Sequence, residues 1–201
     1  MTIQEIAKDI WKINDVDSNV GNVYLINKEV PTIIDTGDDY RKKEIKTDIE
    51  KIIPINQIKQ VLFTHLHHDH IENADLFKNA TFYASKEAIK TLNEDPLTAY
   101  YGSPDKTIDI LKKYKINLKE LPFNISGLKV IETPGHTKGS VCFYNKEEKI
   151  LFSGDHIFDK EQECVGRSDF PNSDPEKYSN SLNKTKCLDI KILGPGHDYE
   201  R

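Results

Sequence analysis

Cysteine is scarce in this sequence, whose 201 residues include only Cys142, Cys164 and Cys187. Three scattered cysteines exclude a disulfide framework or a CxxC site, and Cys142, inside an apolar run, is predicted to be a buried small hydrophobe. Long apolar runs are also missing, since stretches such as 60–64 are far shorter than the ~20 residues of a membrane-spanning helix. The N-terminal residues include no apolar stretch of the signal-peptide type, so we expect a cytoplasmic protein without membrane contact.

Neither sign of charge dominates the chain. Its 28 basic and 33 acidic side chains give a net charge of −5, which makes no case for nucleic acid as a partner. Hydrophobic residues make up 37 % and charged residues 30 %, which argues against disorder, collagen and coiled coil. We therefore expect a single domain over residues 1–201, long enough to bury a full hydrophobic core.

Short β-branched or aromatic runs are interspersed with helical patterns along the chain. The segment 39–53 places isoleucines at helical spacing among charges, which predicts an amphipathic helix. Asp174 before Pro175 predicts the start of another helix, which runs to residue 186. Because the predicted strands come in groups rather than in strict βαβ alternation, the pattern favours two packed sheets with helices outside. These strands are 9–14, 20–27, 31–35, 60–64, 80–84, 128–133, 140–145, 149–154 and 190–193.

The stretch 93–127 differs from the rest of the chain in its weak periodicity. It includes three prolines and the adjacent pair Tyr100 and Tyr101. We interpret it as a connecting lid or insertion, with a plain solvated loop and helix as the alternative.

Four of the seven histidines lie within the six positions 65–70, directly after a short predicted strand. Alternate side chains of extended backbone point to the same side, so His65 and His67 converge on one point. Asp69 and His70 follow where the chain turns into a helix, and face a second point nearby. Imidazole and carboxylate are ligands that suit Zn, Mn or Fe, so the cluster predicts a metal site rather than inert surface histidines.

Further ligand candidates follow three later strands. His136, Asp155 and His197 each stand on a turn that contains glycine, where the backbone can bend sharply and approach a metal closely. Each of them alone is a weak signal. Together with the histidine cluster they form a strong joint signal for a metal centre.

These motifs resemble those of the metallo-β-lactamase-fold hydrolases, and most closely of short glyoxalase II-like proteins. The matching features are the HxHxDH segment 65–70, the three glycine turns and the segment 33–37. The resemblance implies an α/β fold, an αββα sandwich of two mixed β-sheets, with the metals in a cleft at one sheet edge. It implies that His65, His67 and His136 hold one ion, that Asp69, His70 and His197 hold the other, and that Asp155 bridges both.

Two divalent ions would give such a site hydrolytic chemistry. Zinc is the expected metal, and iron and manganese are the alternatives. Cations ~3.5–4 Å apart lower the pKa of a shared water, and the resulting bridging hydroxide attacks a carbonyl or a phosphorus. Asp155 is expected to be catalytic as the bridging ligand, and Asp69 is a candidate to take or relay a proton. Asp35 is expected to orient a ligand, or else to cap the turn at residues 36–38.

Two other histidines lie beside the expected ligands. His68 occupies the variable position of the motif and is expected to be exposed and non-ligating. His156 follows the expected bridging aspartate, and either supports a ligand or lies on the surface.

The leading functional hypothesis is hydrolysis of a small-molecule thioester, such as a 2-hydroxyacyl thiol conjugate, whose thiolate leaves readily. The segment 165–171 resembles one that borders the substrate pocket in glyoxalase II-like proteins and persulfide dioxygenases. Arg167 within it is therefore a candidate partner for a substrate carboxylate, or pairs with Asp169.

Two alternatives stay open. One is a persulfide dioxygenase that binds a single Fe(II) through His65, His136 and Asp155. The other is a lactone, phosphodiester or β-lactam hydrolase, although an aspartate at position 155, rather than Cys or Ser, departs from true zinc β-lactamases.

Overall fold

A computed structural model describes residues 2–14, 20–94, 104–159 and 173–198 of the chain. Its strands are β1 (Thr2–Ala7), β2 (Ile10–Asn14), β3 (Val23–Ile26), β4 (Thr32–Ile34), β5 (Gln60–Leu62), β6 (Thr81–Ala84), β7 (Leu118–Glu120), β8 (Asn124–Ile125), β9 (Leu128–Glu132), β10 (Val141–Asn145), β11 (Ile150–Gly154) and β12 (Ile192–Pro195). Its α-helices are α1 (Lys42–Glu50), α2 (His68–Ile71), α3 (Lys86–Glu94), α4 (Pro104–Lys113) and α5 (Pro175–Lys186), and 3-10 turns lie at Asp39–Arg41, Ile55–Gln57 and Ala74–Leu76.

The strands form two mixed sheets. The first has seven strands in sequence order from β1 to β7, antiparallel up to β4 and parallel from β4 onward. The second has five strands in the order β12-β11-β10-β9-β8, in which only β11 and β12 are parallel. The two mixed sheets confirm the fold class that the sequence predicted.

Alternation along the strands divides the core into layers. In β3, Tyr24 and Ile26 point toward the second sheet, whereas Val23 and Leu25 point outward toward α1, α3 and α4. In β10, Val141 and Phe143 face the first sheet, and the other side packs with Leu182 of α5. Helices therefore cover the outer face of each sheet, which gives the αββα order.

The predicted helix at 39–53 is shorter in the structure. A 3-10 turn leads into α1, and the regular helix ends at Glu50, because Pro54 follows and disfavours helical backbone before it. Ile45 and Ile49 of α1 are buried in the first sheet's outer core, as their spacing predicted. The N-terminus of α5 is also confirmed, since the Asp174 side chain accepts a hydrogen bond from the backbone N–H of Lys177 at 3.0 Å.

The segment 93–127 contributes to both sheets. It includes α4, whose Leu111 is buried in the outer core, and the edge strands β7 and β8. Residues 95–103, with Tyr100 and Tyr101, lie outside the described residues. A lid role for the segment stays a prediction.

Two expectations from composition are tested by the described residues. Cys142 is fully buried, as predicted, and burial raises the pKa of its thiol to about 12. No helix in the described ranges combines the length and the apolarity that crossing a bilayer requires. Cys164 lies outside those ranges.

Candidate metal centre

The carboxyl ends of five strands meet at one edge of the sandwich. Asp35 follows β4, and the histidine cluster follows β5 in the first sheet. His136, Asp155 and His197 come after β9, β11 and β12 in the second sheet. The two sheets are joined here by the backbone, since the N–H of Val141 donates to the carbonyl of Thr64 at 2.9 Å. Residues far apart in sequence therefore converge at this edge.

Four of the seven predicted ligands make up a first donor group: His65, His67, His136 and Asp155. One potential ligand atom from each lies within 4.8 Å of the others. His136 Nε2 is 3.0 Å from His67 Nδ1 and 3.3 Å from an Asp155 carboxylate oxygen. The three imidazole rings face one another with centroids 4.5–4.9 Å apart, so their nitrogens surround one small space.

The remaining predicted ligands make up a second donor group: Asp69, His70 and His197. Asp69 Oδ2 lies 3.2 Å from His197 Nε2 and 3.8 Å from His70 Nε2. The turn into α2 brings Asp69 and His70 to this point, while His67 precedes the helix in extended backbone. The structure thus brings all seven side chains together in the two sets that the resemblance implied.

Asp155 lies between the two donor groups. Its Oδ1 is 3.3 Å from His70 Nε2 and 3.5 Å from His197 Nε2, whereas its Oδ2 is 3.3 Å from His136 Nε2. Each carboxylate oxygen therefore faces a different group, which is the arrangement that a shared ligand of two ions needs.

The Asp35 carboxylate bonds His70, a candidate ligand, and Thr64, the residue before the histidine cluster. Its Oδ2 lies 2.9 Å from His70 Nδ1 and accepts a hydrogen bond from the hydroxyl of Thr64 at 2.7 Å. Its Oδ1 accepts from the backbone N–H of Thr64 at 2.8 Å. The bond to Nδ1 leaves His70 Nε2 directed at the centre. In metal sites, a carboxylate that bonds the second ring nitrogen of a histidine ligand orients the ring in the same way.

Sequence reasoning did not single out Thr64. Its hydroxyl donates to Asp35 and lies 3.1 Å from His65 Nδ1, so it links the carboxylate to a second ligand. The position of Thr64 just before the HxHxDH motif was the signal that could have identified it. Its role depends on Asp35, which is 29 positions away in sequence, so no local pattern reveals the pairing.

Burial and repulsion between neighbouring imidazoles keep His65 and His67 neutral. Burial lowers the pKa of His67 to about 3 and that of His65 well below its usual value, and neighbouring imidazoles add to both shifts. Burial also opposes charge on His70, but Asp69, Asp155 and Asp35 outweigh it and raise the pKa of His70. Neutral imidazole is the form that binds a metal ion.

The carboxylates of the centre are ionised. Burial alone would raise the pKa of Asp69 and Asp155, but both lie below the usual range because His70 and His197 face them. Two ionised carboxylates among imidazoles attract positive charge to this point.

The residues present fit a pair of metal ions. The buried His65 Nε2 has no hydrogen-bond partner among the described residues, and His70 Nε2 and Asp155 Oδ1, which lie 3.3 Å apart, make no well-oriented hydrogen bond. Buried polar atoms without good partners are rare in native proteins, and ions held by the two donor groups would satisfy these atoms. With Asp155 shared, each ion would have four protein donors, which leaves a position open for water when the ion takes five or six ligands.

Three neighbouring predictions have different outcomes. His68 is only partly exposed, because its Nδ1 lies 3.0 Å from Glu72 Oε1. The surface alternative for His156 is wrong: the residue is 1 % exposed, and its Nε2 lies 3.2 Å from the hydroxyl of Thr185. Arg167 and Asp169 lie outside the described residues.

A third set of possible donors, Asp38, His68 and Glu72, lies beside the centre. Glu72 Oε2 accepts from the N–H of Asp39 at 2.7 Å, and Asp38 Oδ2 accepts from the N–H of Gly21 at 2.9 Å. These bonds hold the loop backbone, so we interpret the set as structural.

The fold and the paired donor groups define a metallo-hydrolase with a site for two divalent ions. The chain belongs to the Metallo-beta-lactamase superfamily, whose family model matches residues 16–197. This match confirms the family that the motifs indicated.

Individual relatives agree with the family. A protein of Methanocaldococcus jannaschii named "Probable metallo-hydrolase" is 31 % identical over 189 residues, which cover 88 % of this chain and 86 % of that protein. The hydroxyacylglutathione hydrolase GloC of Haemophilus influenzae is 31 % identical over 150 residues, 70 % of this chain and 68 % of that protein. A protein solved in a di-iron-bound form superposes with a TM-score of 0.66 at 27 % identity, covering 89 % of this chain and 88 % of that one.

Other curated relatives are matched over less of their own length. A second metallo-hydrolase of the same Methanocaldococcus is 37 % identical over 120 residues, which cover 59 % of this chain but only 48 % of that protein.

Proposed function

We propose that this metallo-hydrolase cleaves a small-molecule thioester, with a 2-hydroxyacyl thiol conjugate as the substrate class. The observation that carries the proposal is the placement of Asp155, whose two oxygens face different donor groups. The likeness to a hydroxyacylglutathione hydrolase over 70 % of the chain supports the substrate class.

In this proposal, His65, His67, His136 and Asp155 hold one ion, while Asp69, His70 and His197 hold the second, with Asp155 shared. When bound, the pair of cations supplies Lewis acidity, which lowers the pKa of water and stabilises negative charge on the carbonyl oxygen. Zinc suits the N and O donors, and iron suits them as well.

The chain itself provides orientation and proton acceptance. Asp35 fixes the ring of His70 through Nδ1, so the ring does not have to be ordered when substrate binds. The Asp69 side chain is 22 % exposed, against 10 % for Asp155 and 6 % for His197, so the centre opens toward solvent on the side of Asp69. An ionised carboxylate at the open side is placed to accept a proton.

A thiolate is a good leaving group, so the reaction does not require a separate strong acid to expel it. That property fits the centre, because all seven side chains are assigned to the two ions and none of them is left over as a separate strong acid. Arg167 remains a proposed partner for a substrate carboxylate.

Thiol release from S-lactoyl-glutathione tests this function. Protein loaded with zinc, iron or manganese should release thiol, lose activity in a chelator and regain it when metal is restored. The variant His70→Gln should reduce kcat/KM by on the order of 100-fold, because it removes a ligand. The matched control is His68→Gln, which changes the neighbouring histidine outside both donor groups and should keep most of the activity.

Two results would contradict the proposal. One iron per chain with oxygen uptake on a persulfide, and no thiol release, would indicate the dioxygenase alternative. Hydrolysis of lactones or phosphodiesters without thioester cleavage would show that the substrate class is wrong.

A further inference from the structure

Helix α5 buries hydroxyl groups where an ordinary amphipathic helix buries apolar side chains. Its buried residues are Tyr178, Ser181 and Thr185, which are 4 %, 1 % and 0 % exposed. Their spacing of three and four positions puts them on one face of the helix. Three buried hydroxyls must find partners, and those partners indicate what the helix does.

The hydroxyls reach two loops that carry metal-ligand candidates. Tyr178 donates to the backbone carbonyl of His156, and the hydroxyl of Thr185 lies 3.2 Å from the Nε2 of the same residue. Ser181 donates to the carbonyl of Pro134 at 2.8 Å. His156 directly follows Asp155, and Pro134 lies two positions before His136.

The N-terminus of α5 also contacts the loop of His136. Ser173 donates its hydroxyl to the carbonyl of His136 itself at 3.0 Å, and the N–H of Asp174 donates to the carbonyl of Gly135 at 2.8 Å. A Cβ on Gly135 would lie 2.4 Å from the Cα of Tyr178, so this approach requires glycine.

We infer that α5 is a positioning element for the metal centre, and that Tyr178 is its principal positioning residue. This inference rests on the proposed function, since it needs metal ions in the two donor groups. One helix bonds both the loop of His136 and the residue after Asp155. It thereby fixes the distance between two ligands that come from different strands, before any metal binds.

The contacts are unevenly divided between the two donor groups. His136 and Asp155 supply two of the four ligands in the first donor group. Among the described contacts, α5 reaches the second donor group only through Asp155, the carboxylate that both groups would share. Loosening α5 should therefore weaken the first donor group more than the second, whereas a general loss of stability would weaken both.

The variant Tyr178→Phe tests the inference, with Tyr144→Phe as the matched control. Both tyrosines are nearly buried, and both donate to a backbone carbonyl, but Tyr144 bonds Asp189, which neighbours none of the seven ligands. Zinc affinity is measured by competition with a chelator, and the cobalt(II) form is examined by its visible ligand-field bands. Urea unfolding of the metal-free proteins reports on folding itself.

We expect Tyr178→Phe to lower the zinc affinity of the first donor group roughly tenfold, to leave that of the second donor group closer to wild type, and to shift the cobalt bands. Tyr144→Phe should bind zinc as the wild type does, although both metal-free variants unfold at a similarly lowered urea concentration. If Tyr178→Phe does not fold, Ser181→Ala replaces it, and the same unequal loss between the two ions is expected.

The outcomes separate the two proposals. A Tyr178→Phe variant that folds, binds two zinc ions with wild-type affinity and keeps the wild-type cobalt spectrum would overturn the role of α5 while the proposed function stands. Equal weakening in both tyrosine variants would also overturn it. A wild type that binds no metal would overturn the proposed function, and the positioning role with it.

Discussion

At the scale of single residues, Asp35 links two residues of the centre, Thr64 and His70. It is 2 % exposed, and its carboxylate bonds Thr64 twice and His70 once. Its backbone has a φ of 53°, a left-handed conformation that aspartate and asparagine tolerate better than most residues. Asparagine therefore replaces Asp35 with little backbone strain and removes the charge.

We predict that Asp35→Asn weakens metal binding at the second donor group by about 10- to 100-fold. The reason is that His70 loses the carboxylate that fixes its ring and increases its basicity. Competition with a chelator measures the affinity of each ion. Unchanged affinity for both ions would show that Asp35 only supports the turn.

The meeting of the seven candidate ligands could be predicted from the sequence, but the residues that support them largely could not. Ligand spacing in the segment 65–70 is a local pattern, and the glycine turns mark the later strand ends. Thr64 and Tyr178 act through carbonyls and carboxylates that are distant in sequence, and no local pattern encodes those pairings.

Asp38 predicts a pH dependence of stability. Burial raises its pKa from 3.8 to about 6, and the carboxylates of Asp69 and Glu72 add to the shift, while the N–H of Gly21 opposes it. The folded protein thus holds a proton that the unfolded chain releases near pH 4. This contribution to stability is fully present below pH 4 and is lost as the pH rises through about 6.

For the metal-free protein, we therefore predict that Asp38→Asn reduces the loss of stability between pH 4 and pH 7. Near pH 7 the variant should be more stable than the wild type by about 2 kcal/mol, since no buried charge remains at this position. Urea unfolding at several pH values measures the difference. A variant whose stability follows the wild-type pH curve would contradict the assignment.

At the scale of elements, α3 also supports the loop that carries His136. Ser85, just before α3, donates its hydroxyl to the carbonyl of Gly139 in this loop at 2.6 Å. A Cβ on Gly139 would lie 2.4 Å from the backbone nitrogen of Ala88, so the loop and the helix touch through their backbones. The loop is held between two helices.

We predict that Gly139→Ala destabilises the protein by about 1–3 kcal/mol, because the added methyl group forces the loop away from α3. The urea midpoint should fall with an unchanged m-value. Lys138→Ala, at the exposed neighbouring position, serves as the control and should stay within about 0.5 kcal/mol of the wild type. A wild-type midpoint for Gly139→Ala would mean that the loop has room to move.

Central strands and amphipathic helices were predictable because burial gives them a periodic sequence. The three strands that were missed, β1, β7 and β8, all lie at sheet edges. Lys119 and Glu120 of β7 are exposed, so this strand shows no apolar alternation. Its pairing with β6 depends on the neighbouring strand, which local sequence does not reveal.

At the scale of the whole molecule, the metal centre links the two sheets. Its donors come from strand ends in both sheets, so bound ions connect elements that otherwise meet through the inter-sheet core. Metal ions that bind only the folded state stabilise it by mass action.

We predict that removal of metal lowers the melting temperature by about 5–10 °C. Binding at 100 times the Kd stabilises a fold by about 2.7 kcal/mol, and 1 kcal/mol corresponds to about 2–4 °C for a chain of this length. Calorimetry with and without a chelator checks this value. Equal melting temperatures would show that the ions do not stabilise the sandwich.

The central claim is that seven side chains hold two ions with Asp155 shared between them. Elemental analysis of the wild type and of Asp155→Ala, both dialysed against the same zinc solution, tests it most directly. The account predicts two zinc ions per wild-type chain and at most one per variant chain, because the variant lacks the carboxylate that faces both donor groups. Two zinc ions in Asp155→Ala, or none in the wild type, would contradict it.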